Sequence, residues 1–135
     1  MDEPKTILII DDELDVIASV ESELTERDFR VASASKWTEA ISQFEEVTPD
    51  LIILDLQLPT VQGHVLLDFI REQNADLPVI ILSEDIGPEE MERLGSMGAN
   101  GFVRKPFETE ELLVIVEQVL LDWGISETGN EIQVE

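Results

Sequence analysis

A chain of 135 residues makes one domain and can bury roughly two-thirds of its unfolded surface in a single core. Its Asp+Glu 31 against Lys+Arg 8 give a formal charge of −23, which argues against nucleic acid and anionic membranes as direct partners and favours basic surfaces and divalent cations. No cysteine is present, so disulfides and thiolate metal sites are excluded.

Short apolar runs alternate with helical patterns. The first strand covers 6–10 and carries Ile7-Leu8-Ile9-Ile10. A helix over about 14–27 sets Ile17, Val20 and Leu24 on one face. Residues 30–33 form a thin second strand, and Ser35 is placed to cap a second helix with Trp37, Ala40, Ile41 and Phe44 inward. Leu51-Ile52-Ile53-Leu54 is the third strand, and a helix after Gly63 turns Leu66, Phe69 and Ile70 inward. Val79-Ile80-Ile81-Leu82 is the fourth strand. Gly87-Pro88 then opens the fourth helix, where proline fits the first turn. Gly98 and Asn100-Gly101 turn the chain into the fifth strand with Phe102 and Val103. The last helix, about 109–123, buries Leu112, Ile115, Val116 and Val119 and leaves Leu113, Val114 and Leu121 as surplus apolar residues, with Gly124 ending it. The expected domain is therefore 1–123, and 124–135 read as an acidic tail or the start of a linker.

Strands one, three and four are apolar throughout, as strands covered on both faces should be, while two and five read as edges. The expected fold is α/β: a doubly wound five-stranded parallel sheet, order 2-1-3-4-5, flavodoxin-like, with helices on both faces. In that sheet the ends of the apolar runs converge. Asp11-Asp12 close strand one, Asp55 strand three, Ser83 strand four, and Lys105-Pro106 strand five. Open α/β sheets bind ligands in that crevice. Carboxylates crowded together repel one another and call for a divalent cation. A hard cation with oxygen ligands, beside a lysine, suits a phosphoryl group.

Asp11-Asp12-Glu13, Asp55 with Pro59 and Gly63 following at intervals of four, Ser83, and Lys105-Pro106-Phe107 together resemble the receiver domain of bacterial two-component response regulators, of the chemotaxis-regulator kind. The likeness runs from Lys5 to about Trp123. It implies a phosphoryl-acceptor switch in which Asp55 takes a phosphoryl group from a histidine kinase or phosphotransfer protein. Mg2+ would be held by Asp11, Asp12, Asp55 and the backbone carbonyl of Gln57. Lys105 would pair with Asp55 at rest and with the phosphoryl group afterwards. Ser83 would donate its hydroxyl to that group, and Phe102, often a tyrosine in the family, would follow as the switch aromatic. The Lys105-Pro106 bond is expected to be cis. Such a domain catalyses only its own phosphorylation and dephosphorylation. Its message is expected to leave through helix four, strand five and helix five, toward a second copy or an output protein.

Glu84, directly after Ser83, departs from the small residue usual in the family and could modulate access by repelling phosphoryl donors. His64 is the only histidine and is expected at the surface. A dehalogenase-type phosphatase would need a second acid where Gln57 stands. A flavodoxin would need a hydroxyl-rich loop where Asp11-Asp12-Glu13 stand, and a dinucleotide site a glycine-rich turn. The surviving alternative is a receiver-shaped protein-binding module that acts without phosphorylation. Met1-Asp2-Glu3-Pro4 is acidic where a signal peptide would be basic, so a cytoplasmic location is expected, with or without a further output domain. The acidity, with lysine only at Lys5, Lys36 and Lys105, also suits a saline habitat.

Overall fold

The computed structural model describes residues 3–58 and 63–127. Strands and helices alternate: β1 (Thr6–Ile10), α1 (Leu14–Glu26), β2 (Arg30–Ala34), α2 (Trp37–Val47), β3 (Leu51–Asp55), α3 (Gly63–Gln73), β4 (Val79–Ser83), α4 (Pro88–Ser96), β5 (Gly101–Arg104) and α5 (Thr109–Glu127). The strands form one sheet in the order β2-β1-β3-β4-β5, parallel at every pairing.

Alternation along the strands divides the core in two. Leu8, Ile10, Ile52, Leu54, Val79 and Ile81 face one side, where Ala40 of α2, Leu66 and Ile70 of α3 and Leu94 of α4 cover them. Ile7, Ile9, Leu51, Ile53, Ile80 and Leu82 face the other, under Ile17, Val20 and Leu24 of α1 and Leu112 and Val116 of α5. Each fully buried Leu or Ile contributes about 1.5–3 kcal/mol, so both layers help to hold the sheet between its helices. Phe69 stands edge-on to Trp37 and Phe44, tying α3 to α2.

Three sequence expectations are corrected. Ser35 does not cap α2 with its hydroxyl. Instead the Glu39 carboxylate reaches back and accepts from both the Ser35 N–H (2.9 Å) and hydroxyl (3.2 Å). Those bonds, the backbone one first, hold the Glu39 carboxyl below its ordinary pKa. Leu113 is buried rather than surplus, because α5 packs sideways on α1 as well as down on the sheet. Ile115 correspondingly sits only half-buried at the margin of that core. Gly124 does not end the last helix, which continues to Glu127. One missing side chain in an apolar stretch costs only about 1 kcal/mol of helix propensity. Val114 and Leu121 are exposed as expected. Pro59 and residues 128–135 lie outside the described residues, and among those described no helix is long and apolar enough to cross a membrane.

Candidate functional site

The chemistry gathers at the carboxyl edge of the sheet. β1 ends at Ile10, and the next N–H, of Asp11, donates to the carbonyl of Ala34 in β2 (3.1 Å), fixing where the acidic pair begins. The Asp11 Oδ1 atom accepts the N–H of Glu13 (2.8 Å), the N-cap position of α1. β3 ends in Asp55, whose Oδ1 accepts the N–H of Gln57 (3.0 Å). At the end of β4, the Ser83 carbonyl accepts the Lys105 N–H (2.9 Å), and the Ser83 hydroxyl accepts the Asp85 N–H (3.3 Å). That hydroxyl keeps its own proton available to donate. The Lys105-Pro106 bond is cis.

Asp11, Asp55, Ser83 and Lys105 are the charged and polar side chains buried among the described residues. Lys105 Nζ lies 2.6 Å from Glu13 Oε1, 2.9 Å from Asp11 Oδ2 and 3.3 Å from Asp55 Oδ2. Burial works to lower the Lys105 pKa, yet Glu13 and Asp11, then Asp55, overcome it and raise it above the ordinary lysine value. Burial pushes the Asp55 carboxyl above the usual carboxylate range. The Gln57 N–H opposes that rise, Asp11 adds to it, and Lys105 opposes it.

Asp12 is exposed, but its carboxylate still joins the cluster. One oxygen from each of Asp11, Asp12 and Asp55 lies within 4.8 Å of the other two. Asp11 Oδ2 is buried without a well-directed hydrogen bond, despite its proximity to Lys105. An all-oxygen set of three converging carboxylates, with more negative charge than Lys105 can offset, fits a hard divalent cation.

Phe102, Glu84 and His64 are not among the residues of this cluster. Phe102 is half-buried and packs on the α2–α3–α4 side of the sheet, paired in register with Ile81. Glu84 is exposed, and its backbone carbonyl accepts a long bond from Arg104 (3.4 Å). His64 is partly exposed on the first turn of α3. Glu13, the third acid of the Asp11-Asp12-Glu13 motif, makes the shortest contact to Lys105. Its signal in the sequence was a third acid at the same strand end.

The response regulator receiver domain model matches residues 7–117. The chain belongs to that family. Transcriptional regulatory protein PrrA of Mycobacterium leprae is 32% identical over 124 residues, covering 92% of this chain and 53% of that protein. Sensory transduction protein BceR of Halalkalibacterium halodurans is 30% identical, covering 84% of this chain and 49% of its own length. The chain thus spans about half the length of these curated relatives. Among solved structures, chemotaxis protein CheY4 of Vibrio cholerae superposes with a TM-score of 0.81 at 26% identity, covering 86% of this chain and 98% of that one. A receiver domain is a phosphoacceptor switch of two-component signalling, a signalling domain rather than an ordinary enzyme. Receiver domains bind Mg2+ at an acidic pocket, and this chain has an aspartate cluster at the corresponding edge of its sheet.

Proposed function

We propose that Asp55 is the phosphoacceptor of this receiver domain and that its phosphorylation depends on Mg2+. The observation that carries this reading is a buried carboxylate at the end of β3, 3.3 Å from a buried lysine and clustered with Asp11 and Asp12. An Asp55 oxygen attacks the phosphorus of a phosphohistidine or a small acyl phosphate. The new O–P bond forms as the old N–P or O–P bond breaks, and the electron pair leaves with the imidazole or the carboxylate. Asp11, Asp12, Asp55 and the Gln57 carbonyl are the proposed metal ligands. The bound cation supplies charge neutralisation between the acids and the incoming phosphoryl oxygens. Lys105 would contribute a full positive charge to a phosphoryl oxygen, and Ser83 a hydrogen bond from an uncharged hydroxyl, so Lys105 carries the larger part of the charge compensation.

A packing change at Ser83 and Phe102 would carry the phosphorylated state to α4, β5 and α5, the face proposed to meet a second copy or an output protein. The proposed donor is a histidine kinase or phosphotransfer protein, in the cytoplasm. Direct contact of this domain with nucleic acid is disfavoured by its charge of −23. PrrA is named a transcriptional regulatory protein, and any such output from the present chain would come through a partner or a further domain.

Exposed Glu84 beside Ser83 favours one rival, a protein-binding module that is never phosphorylated. Intact-mass measurement after acetyl phosphate and Mg2+ separates the two. The proposal predicts one added phosphate on the wild type and none on Asp55→Asn. Unlabelled wild type would support the binding module, and Mg2+-dependent labelling that persists in Asp55→Asn would remove Asp55 from its role.

A further inference from the structure

Lys105 has three ammonium donors and faces three carboxylates, and the distances rank them unexpectedly. Glu13 is nearest at 2.6 Å, Asp11 follows at 2.9 Å, and Asp55, where the phosphoryl group would sit, is farthest at 3.3 Å. The three acids also differ in freedom. The side chains of Asp11 and Asp55 are 0% and 2% exposed, whereas that of Glu13 is 51% exposed and borders solvent. Asp11 and Asp55 each accept a backbone N–H two residues on, so their carboxylates are oriented by the chain itself. Glu13 has no such tether, and it makes no side-chain capping bond to α1 although it occupies the N-cap position. Its helix-starting role is served by its backbone, whose carbonyl accepts from Ile17 (3.1 Å). The contact the structure records for the Glu13 carboxylate is the one to Lys105.

We propose that Glu13 is a positioning residue that draws the Lys105 ammonium away from Asp55 in the resting protein and yields it when a phosphoryl group occupies Asp55. The inference rests on Asp55 as the phosphoacceptor. A phosphoryl oxygen next to Asp55 competes for the same ammonium, and Glu13 is the member of the trio that can swing into water at little cost. Anion binding at Asp55 is therefore opposed by whatever Glu13 gains from holding Lys105. Glu13 sets the resting affinity of the pocket without touching the phosphoryl group.

Beryllofluoride with Mg2+, a tetrahedral stand-in for a phosphoryl group on a carboxylate, reads this directly. Glu13→Gln keeps the length and the helix start but removes the charge. Its dissociation constant for beryllofluoride at saturating Mg2+ should fall about fivefold, the scale of one half-exposed ion pair. In a Lys105→Met background the same substitution should change nothing, because the ammonium it acts through is gone. A role confined to helix stability would shift melting temperature and leave this coupling at zero. Equal affinity of wild type and Glu13→Gln would overturn the inference while leaving Asp55 in place. So would a gain that persists in Lys105→Met, since Glu13 would then act by plain repulsion. Wild type that takes up no beryllofluoride, or takes it up equally after Asp55→Asn, would overturn the Asp55 reading and this inference with it.

Discussion

A cation anchors each edge of the sheet, Lys105 at the carboxyl edge and Arg71 at the amino edge, and the two meet opposite kinds of partner. Arg71, in the last turn of α3, donates to the carbonyls of Asn74 (3.0 Å) and Gly98 (2.7 Å) and at longer range to the Asn100 side chain (3.4 Å). Asn100 in turn accepts the N–H of Val79 at the start of β4 (2.8 Å). These acceptors are neutral, two backbone carbonyls and one side-chain amide oxygen, so the arginine fastens the α4–β5 turn to α3 by hydrogen bonds rather than by a buried ion pair. Gly98 is part of the fit: its φ is 102°, and a Cβ there would collide with Arg71 Nε. Lys105 faces carboxylates in excess of its charge. A cation among backbone carbonyls locks a structure. One among surplus anions holds an arrangement that the arrival of further charge will reorganise. The contrast separates an edge that fixes the fold from the edge proposed to change when Asp55 is phosphorylated.

Removing the two cations should break the comparison in different ways. Lys105→Met leaves Asp11 and Asp55 buried together without their counter-charge. Unfolding in urea without metal should show a loss of about 3 kcal/mol. Saturating Mg2+ should recover much of it, because a cation among the same oxygens replaces the missing charge. Arg71→Met strands carbonyls at the opposite edge and should lose about 1–2 kcal/mol. That loss should be indifferent to Mg2+, with phosphorylation by acetyl phosphate unchanged. Mg2+ rescue of Arg71→Met, or its failure for Lys105→Met, would erase the distinction between the edges.

Asp55→Asn sharpens the contrast through pH. The Asp55 carboxyl is raised above its ordinary range by burial, so the folded protein keeps that proton to higher pH than the unfolded chain. Its contribution to stability is greatest below the unfolded carboxylate value of about 4 and is lost as pH rises through the raised one. Without metal, Asp55→Asn should therefore gain on the wild type as pH rises above that range, and Mg2+ should close the gap. A gap that narrows with rising pH in metal-free urea titrations would contradict the raised value. The smallest expected effect is at Glu84. Glu84→Ala should speed phosphorylation by acetyl phosphate about twofold at low ionic strength and hardly at all at high salt, where repulsion is screened. A rate unchanged at every salt concentration would leave Glu84 outside the mechanism.

Much of this was legible in the sequence because the strongest signals were the simplest. Ile7 to Ile10, Leu51 to Leu54 and Val79 to Leu82 are buried on both faces, so composition alone marks them as central strands. The residues that end them inherit their positions from the strand order, which is why Asp11, Asp55 and Ser83 could be placed together. What escaped depends on neighbours that periodicity does not see. Leu113 is buried because α5 also leans on α1, a second contact that a single-face wheel omits. Glu39 rather than Ser35 supplies the bonds at the start of α2, because a longer side chain can reach back over the turn. Glu13 lies beside a lysine distant in sequence, and only the closure of β5 onto β4 brings them to 2.6 Å.

On the proposed reading, the crowded edge exists to carry a phosphoryl group on Asp55. Borohydride reduction after acetyl phosphate tests it most directly, since an aspartyl phosphate is reduced to homoserine and an untouched aspartate is not. Peptide mapping should then find homoserine at position 55 in the Mg2+-treated protein, with Asp11 and Asp12 intact and no conversion in the presence of chelator. Homoserine at either of those aspartates, or none anywhere after Mg2+ and phosphodonor, would contradict it.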